Sequence, residues 1–179
     1  MIDIVTIERH ELDEAKVYSG VALGRLNGPN YTDLHLPERF YVGRCGEIGF
    51  HKWATEHQLM FEDTVTPAGT PDEQDFLLYH IDGRTIKVNV KNSHHPRARY
   101  LMQPHAQAEK FEYDLYVGCT GKEHGDGLEL RLWGAISCRE FVRSAEVIQL
   151  KVLSRRYPLD KLPISMTEIA KKTKKGELK

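Results

Sequence analysis

The most constraining stretch of the chain is Thr85-Ile86-Lys87-Val88-Asn89-Val90-Lys91, in which apolar and polar residues alternate without a slip. Successive side chains of a strand point to opposite faces, so a run of this kind is a strand with one buried face. The preceding Phe76-Leu77-Leu78-Tyr79 and the turn signal Asp82-Gly83 make it the second arm of a β-hairpin. Register follows from the requirement that residues directly opposite one another share a face. A two-residue turn at Asp82-Gly83 would pair Phe76 with Asn89 and Leu78 with Lys87, mixing apolar with polar. A three-residue connection, Asp82-Gly83-Arg84, puts Phe76, Leu78, Ile86, Val88 and Val90 on one face and Asp75, Leu77, Tyr79, Lys87, Asn89 and Lys91 on the other. The second register is preferred, and it sets Asp75 opposite Lys91.

Around this hairpin the spacing predicts helices. Leu12, Ala15, Ser19, Ala22 and Leu26 form a helical stripe over about Glu8 to Leu26, with Thr6 as its cap and Gly28-Pro29 as its stop. Pro37 suits the first turn of a second helix running to about Gln58, because it needs no intrahelical N–H there. Phe50, Trp53, Ala54 and His57 repeat at helical spacing inside it, and Glu47 shares their side. Gly43, Gly46 and Gly49 weaken that helix by roughly 1 kcal/mol each relative to Ala, so a break or a close backbone approach is expected. After the hairpin come a loop from Asn92 to Met102, a short helix from His105 to Phe111, strands over Asp114–Cys119 and Leu128–Ile136, and a helix over Cys138–Ile148. The predicted architecture is α/β, a central mixed sheet flanked by helices, in one domain over residues 1–165 followed by a mobile basic tail over 166–179.

Composition narrows the function classes rather than choosing one. With 25 Lys+Arg against 26 Asp+Glu, the net charge of −1 gives no bulk attraction to nucleic acid, so any such binding needs a local basic patch. The three cysteines, Cys45, Cys119 and Cys138, are odd in number and contain no C-x-x-C pair, which points to a reduced cytoplasmic setting. The start, Met1-Ile2-Asp3-Ile4-Val5, lacks the pattern of a secretory signal, and no run approaches the ~18 apolar residues of a membrane span.

The polar face of the hairpin carries the chemistry. It gathers a carboxylate, Asp75, an amide oxygen, Asn89, and an amine, Lys91, with Glu47 able to approach from the neighbouring helix. Oxygen ligands of this kind suit Mg²⁺ or Mn²⁺, which bind protein through one or two carboxylates and keep room for water and substrate phosphate. A cation held there can orient and polarise a phosphodiester, and a fixed ammonium beside it stabilises developing charge. Downstream, His94, Arg97, Arg99 and Tyr100 have the composition of a loop that touches phosphates and stacks on bases.

Taken together, Gly46-Glu47-Ile48-Gly49-Phe50, Asp75 leading a hydrophobic strand, the Asp82-Gly83 turn, Val88-Asn89-Val90-Lys91-Asn92-Ser93 and Tyr113-Asp114-Leu115-Tyr116-Val117 resemble the core of the PD-(D/E)XK nucleases, over roughly Glu47 to Val117. The resemblance implies a restriction-endonuclease-like fold and metal-dependent hydrolysis of DNA, with an endonuclease expected. By position it makes Asp75 the central metal ligand, Lys91 the catalytic lysine, Glu47 the helix-borne acid and the Val90 carbonyl an additional ligand. Gln107 matches loosely a glutamine that holds the lysine or water. Ser93, His94, Arg97 and Arg99 would then line the DNA.

One departure stands out: the acid that should precede X-Lys is Asn89. Asparagine can offer an oxygen to a metal but removes one negative charge. Either Glu47, Asp72 or Glu73 compensates, or the site is crippled. A second class of reading therefore keeps the fold but makes it a non-catalytic module that binds nucleic acid or a partner protein. A third is metal-independent RNA cleavage by Lys91 with His94 or His95 and a tyrosine. The expected partner is DNA, with a homodimer left open and no membrane.

Overall fold

The computed structural model describes residues 2–25, 36–64, 75–95 and 98–176, with only the backbone given for 22–25, 36 and 37. In chain order, strand β1 (Asp3–Ile7) and helices α1 (Arg9–Arg25) and α2 (Leu36–Glu56) precede a meander of β2 (Phe61–Asp63), β3 (Phe76–Tyr79) and β4 (Thr85–Ser93). Then follow β5 (Tyr100–Pro104), α3 (His105–Ala108), β6 (Leu115–His124), β7 (Gly127–Ser137), α4 (Cys138–Ser144), β8 (Glu146–Gln149), β9 (Leu153–Pro158) and α5 (Met166–Lys172). The large sheet has the order β1-β7-β6-β4-β3-β2, and a three-stranded sheet has the order β5-β9-β8. Every pairing is antiparallel except β4 with β6, which run parallel from Val88 beside Leu115 to Ser93 beside Thr120. The chain is thus a mixed α/β fold in which helices flank a mixed sheet. Among the described residues no helix is long and apolar enough to cross a membrane.

The two faces of the large sheet carry separate cores. On one, Phe50, Trp53 and Ala54 of α2 and Leu12 and Ala15 of α1 pack on Phe76, Leu78, Val88, Val90, Val117, Leu130 and Leu132. On the other, Tyr116 and Ile136 pack with Leu101, Phe141 and Leu159 beneath the smaller sheet. Side chains as large as Trp53, Phe50 and Tyr116 are fully buried, each contributing on the order of 1.5–3 kcal/mol over exposure.

Several expectations change. Residues 3–7 are an edge strand paired with β7, so Thr6 lies opposite Glu129 and does not cap α1. Glu11 fills that role from inside the helix, its carboxylate accepting the Glu8 N–H at 2.7 Å. Helix α2 runs unbroken past its three glycines. Two of them provide close approach: a Cβ on Gly46 would sit 2.6 Å from the Asn92 Cβ, and one on Gly49 would sit 2.1 Å from Leu130 Cδ2. The helix predicted over 138–148 stops at Ser144, and the remainder becomes β8. The basic C-terminal segment is no loose tail. Ser165 caps α5 by accepting the Glu168 N–H at 3.2 Å, Met166, Ile169 and Ala170 join the main core, and the Lys174 N–H reaches the Tyr79 carbonyl at 2.7 Å. Its lysines occupy the exposed side of an amphipathic turn, which is why composition alone suggested a solvated end.

Candidate functional site

The site forms where β3 starts and β4 runs on past it. Phe76 pairs with Val88, yet the Asp75 N–H also donates to the Val88 carbonyl at 3.0 Å, so two consecutive residues face one. That kink turns the Asp75 carboxylate toward the next rung, where it accepts the Val90 N–H at 2.6 Å. Asp75 therefore fills in the ladder position that β3 leaves empty. A strand residue's N–H and C=O point to the same edge, so the Val90 carbonyl is directed to the same opening.

This corrects the expected register. The turn is Ile81-Asp82-Gly83, closed by the His80 N–H on the Arg84 carbonyl at 2.8 Å, with Gly83 at φ 93° and the Asp82 carboxylate accepting the Arg84 N–H at 3.1 Å. Pairing is displaced by two residues relative to the Asp82-Gly83-Arg84 connection, so Asp75 does not lie opposite Lys91 and Lys91 extends beyond β3. A shift of two preserves parity, which is why the face assignments of Phe76, Leu78, Val88 and Val90 survive.

Parity also divides the predicted residues. Val88, Val90 and Asn92 face α2, and the Asn92 amide donates to the Val42 carbonyl at 2.8 Å. Asn89 and Lys91 lie beside Tyr116 and Gly118 on the opposite face, where a Cβ on Gly118 would meet Leu159 and Leu162. Asn89 is 5% exposed and its Oδ1 has no hydrogen-bond partner among the described residues.

Asp75 stands between the two faces and is coupled electrically to both. Burial pushes its carboxyl up to about 6, against the pull of Lys91 and the Val90 N–H. Glu47, whose side chain is 14% exposed, is pushed up to about 7 by burial and by Asp75, against the pull of Arg44. Two carboxylates from different elements are thus held close enough to resist ionising together.

Two contributors were not found from the sequence. Arg44 donates through Nη1 to Glu47 at 3.2 Å and through Nη2 to Glu14 at 2.9 Å, with its guanidinium 5.3 Å from the Tyr18 ring centre. Its position three residues before Glu47 on one helix was an available signal. Asp63 adds to the negative charge felt by both Glu47 and Asp75, and its Oδ2 lies 3.0 Å from His51 Nδ1. Asp63 was hidden because β2 has only 3 residues, too short for alternation to show.

The remaining predicted residues lie apart from the carboxylates. Gln107 accepts a hydrogen bond from buried Gln103 at 3.2 Å, on the side of the smaller sheet. The Ser93 hydroxyl accepts the His95 N–H at 3.2 Å. His94 lies just past the end of β4 and is partly buried. It lies edge-on to Tyr41 at 5.9 Å, abuts Gly121, shares a 3.1 Å contact with Asn92, and burial lowers its pKa. Arg99 is exposed, while Arg97, Asp72 and Glu73 lie outside the described residues.

Among the described residues no three His, Cys, Asp or Glu side chains are arranged to close around an ion. Such closure is not what a magnesium-type ion requires, since it takes one or two carboxylates and fills its octahedron with water. Glu47 and Asp75 are two such carboxylates, both raised chiefly by burial, and a cation beside them would favour the ionised form of each. Comparison of the chain with protein-family models, with curated proteins and with solved structures gave no match.

Proposed function

We propose that the chain is a metal-dependent DNA nuclease of the restriction-endonuclease-like kind. The observation that carries the reading is the pair of buried carboxylates, Glu47 and Asp75, both raised by burial and Glu47 also by Asp75, beside the charge of Lys91. The elements the resemblance calls for support it: a helix bearing the acid, a hairpin bearing Asp75 and Lys91, and a further strand, β6, alongside the lysine strand. Glu47 and Asp75 would hold Mg²⁺ or Mn²⁺, with the Val90 carbonyl at the same opening. When bound, such an ion polarises a phosphodiester and lowers the pKa of water. The chain's own part is positioning. The Val90 N–H fixes Asp75, Arg44 fixes Glu47, and the Lys91 ammonium stabilises the charge that develops on the phosphate.

The test is cleavage of plasmid and end-labelled linear DNA with Mg²⁺ or Mn²⁺, with EDTA and Lys91→Ala as controls. Cleavage that stops in both controls is the expected result, and cleavage that survives both removes the mechanism. Asn89 motivates a second reading, a non-catalytic module that binds nucleic acid or a partner protein. Asn89→Asp separates the two: a gain of turnover marks a weakened enzyme, and binding without turnover in both forms marks the module.

A further inference from the structure

Arg44 is an unexpected neighbour for a cation site, because a fixed positive charge beside Glu47 opposes the arrival of another. Its geometry suggests why it is there. Nη1 is held by Glu47 at 3.2 Å, Nη2 is held by Glu14 at 2.9 Å, and Nε is buried with no acceptor among the described residues. Nε and Nη2 share one edge of the guanidinium, the edge that grips a phosphate or carboxylate through two parallel bonds. Here that edge is half used. One oxygen of Glu14 sits on Nη2, and among the described residues nothing accepts from Nε. The two anchors also differ: Arg44 and Glu47 are 16% and 14% exposed, whereas Glu14 is 59% exposed. The Glu47 contact is therefore shielded from solvent, and the Glu14 contact is a surface pair of the kind that exchanges readily. Tyr18 beneath the guanidinium holds its plane.

The geometry points to Arg44 as a phosphate clamp: Nε and Nη2 take two oxygens of a DNA phosphate while Nη1 stays on Glu47, and Glu14 is the stand-in that the phosphate displaces. This rests on the nuclease reading and deepens it. The incoming group has to be an anion with two oxygens. Beside three carboxylates, Glu47, Asp63 and Asp75, the anion that a bound divalent ion would also attract is the phosphodiester. Arg44 then joins the helix-borne acid to the substrate, so that a backbone phosphate on the clamp sets the position of the strand relative to Lys91.

The clamp predicts a loss for one ligand without a loss for the other, which a merely structural arginine would not produce. In the full-length chain, affinity for a fluorescein-labelled DNA duplex is read by anisotropy in Ca²⁺, and affinity for Mn²⁺ by calorimetry. Arg44→Gln is expected to weaken duplex binding by about tenfold or more while Mn²⁺ binding holds or tightens. Arg44→Lys keeps the charge but lacks the fork, and it should recover little of the loss. Glu14→Gln, an exposed change, should tighten duplex binding by about twofold or more, because the competing carboxylate is gone. A folded Arg44→Gln protein that binds duplex as the wild type does, or that loses duplex and Mn²⁺ together, overturns the clamp. If Arg44→Gln does not fold, Glu14→Gln decides, and an affinity no tighter than wild type overturns the proposal. A wild-type chain that binds neither Mn²⁺ nor DNA takes the nuclease reading down with it. One that binds and cleaves while both variants behave normally refutes the clamp alone.

Discussion

Replacing Asp75 with asparagine is expected to make the metal-free protein more stable at alkaline pH, the reverse of what removal of a hydrogen-bonded buried residue ordinarily does. The amide is nearly isosteric and its oxygen can still accept the Val90 N–H, now made at 2.6 Å, so the change removes mainly the charge. The Asp75 carboxyl is pushed from 3.8 to about 6, chiefly by burial. At about 1.4 kcal/mol for each tenfold change in proton affinity, ionising it in the folded protein costs on the order of 3 kcal/mol. A carboxyl raised on folding means that the folded state holds its proton more tightly. Its stability contribution is complete below the unfolded value near 4 and is lost as pH rises through the folded values of about 6 for Asp75 and about 7 for Glu47. The wild type in EDTA should therefore lose stability between about pH 4 and pH 7 and level off above. Asp75→Asn should lose less, because Glu47 is relieved as well. The gap at pH 8, at roughly 2–4 °C per kcal/mol for a chain of this size, is a melting temperature several degrees higher in the variant. Mn²⁺ should reverse the order by stabilising the wild type and leaving the variant unmoved. Scanning fluorimetry from pH 5 to 8.5 with EDTA or Mn²⁺ reads all of this. A variant that melts below wild type in EDTA at pH 8 would show that Lys91 and the Val90 N–H already over-compensate the charge, and the reasoning fails.

Three further predictions concern the scaffold. In α2, Gly49→Ala should destabilise by about 1–3 kcal/mol in urea denaturation, because its new methyl meets the fully buried Leu130 at 2.1 Å. Gly43→Ala, with nothing within 4 Å, should instead stabilise by about 0.5–1 kcal/mol. Met166→Ala should cost about 2–5 kcal/mol by the same assay, since Met166 is fully buried, whereas a loose tail would show no change.

What was legible in the sequence was what a long periodic run can encode. Alternation over Thr85–Lys91 gave the strand and its faces, and the stripes in α1 and α2 gave the helices on one side. The register was not legible to better than an even shift, because parity is blind to a displacement of two and the choice was made by Asp82, whose carboxylate binds both N–H and Nε of Arg84. Strands β2, β5 and β8, of 3, 5 and 4 residues, are shorter than the window in which a period can be counted. The site was half visible. Asp75, Glu47 and Lys91 lie on recognisable elements, and Arg44 was within reach of the i,i+3 rule from Glu47, whereas Asp63 matters through distance to those residues, which no spacing rule reports.

The division of charge by the sheet bears on what Asn89 does. The acids that press on one another, Glu47, Asp63 and Asp75, come from α2, β2 and the start of β3, while alternation turns position 89 with Lys91 toward Tyr116. An acid at position 89 would thus not simply enlarge that cluster. It would place a charge at a 5% exposed position where the present oxygen finds no donor among the described residues, a costly arrangement unless Lys91 or a bound cation pairs with it. Asparagine keeps an oxygen there without that cost. Asp75 is the residue through which the two faces communicate: its carboxylate sits in the plane of the sheet on Val90, feels Lys91 on one side, and raises Glu47 on the other. Among these groups Asp75 alone is tied by charge to Lys91 on one side and to Glu47 on the other, so it is the residue through which a change at position 89 would be felt by the helix-side acid.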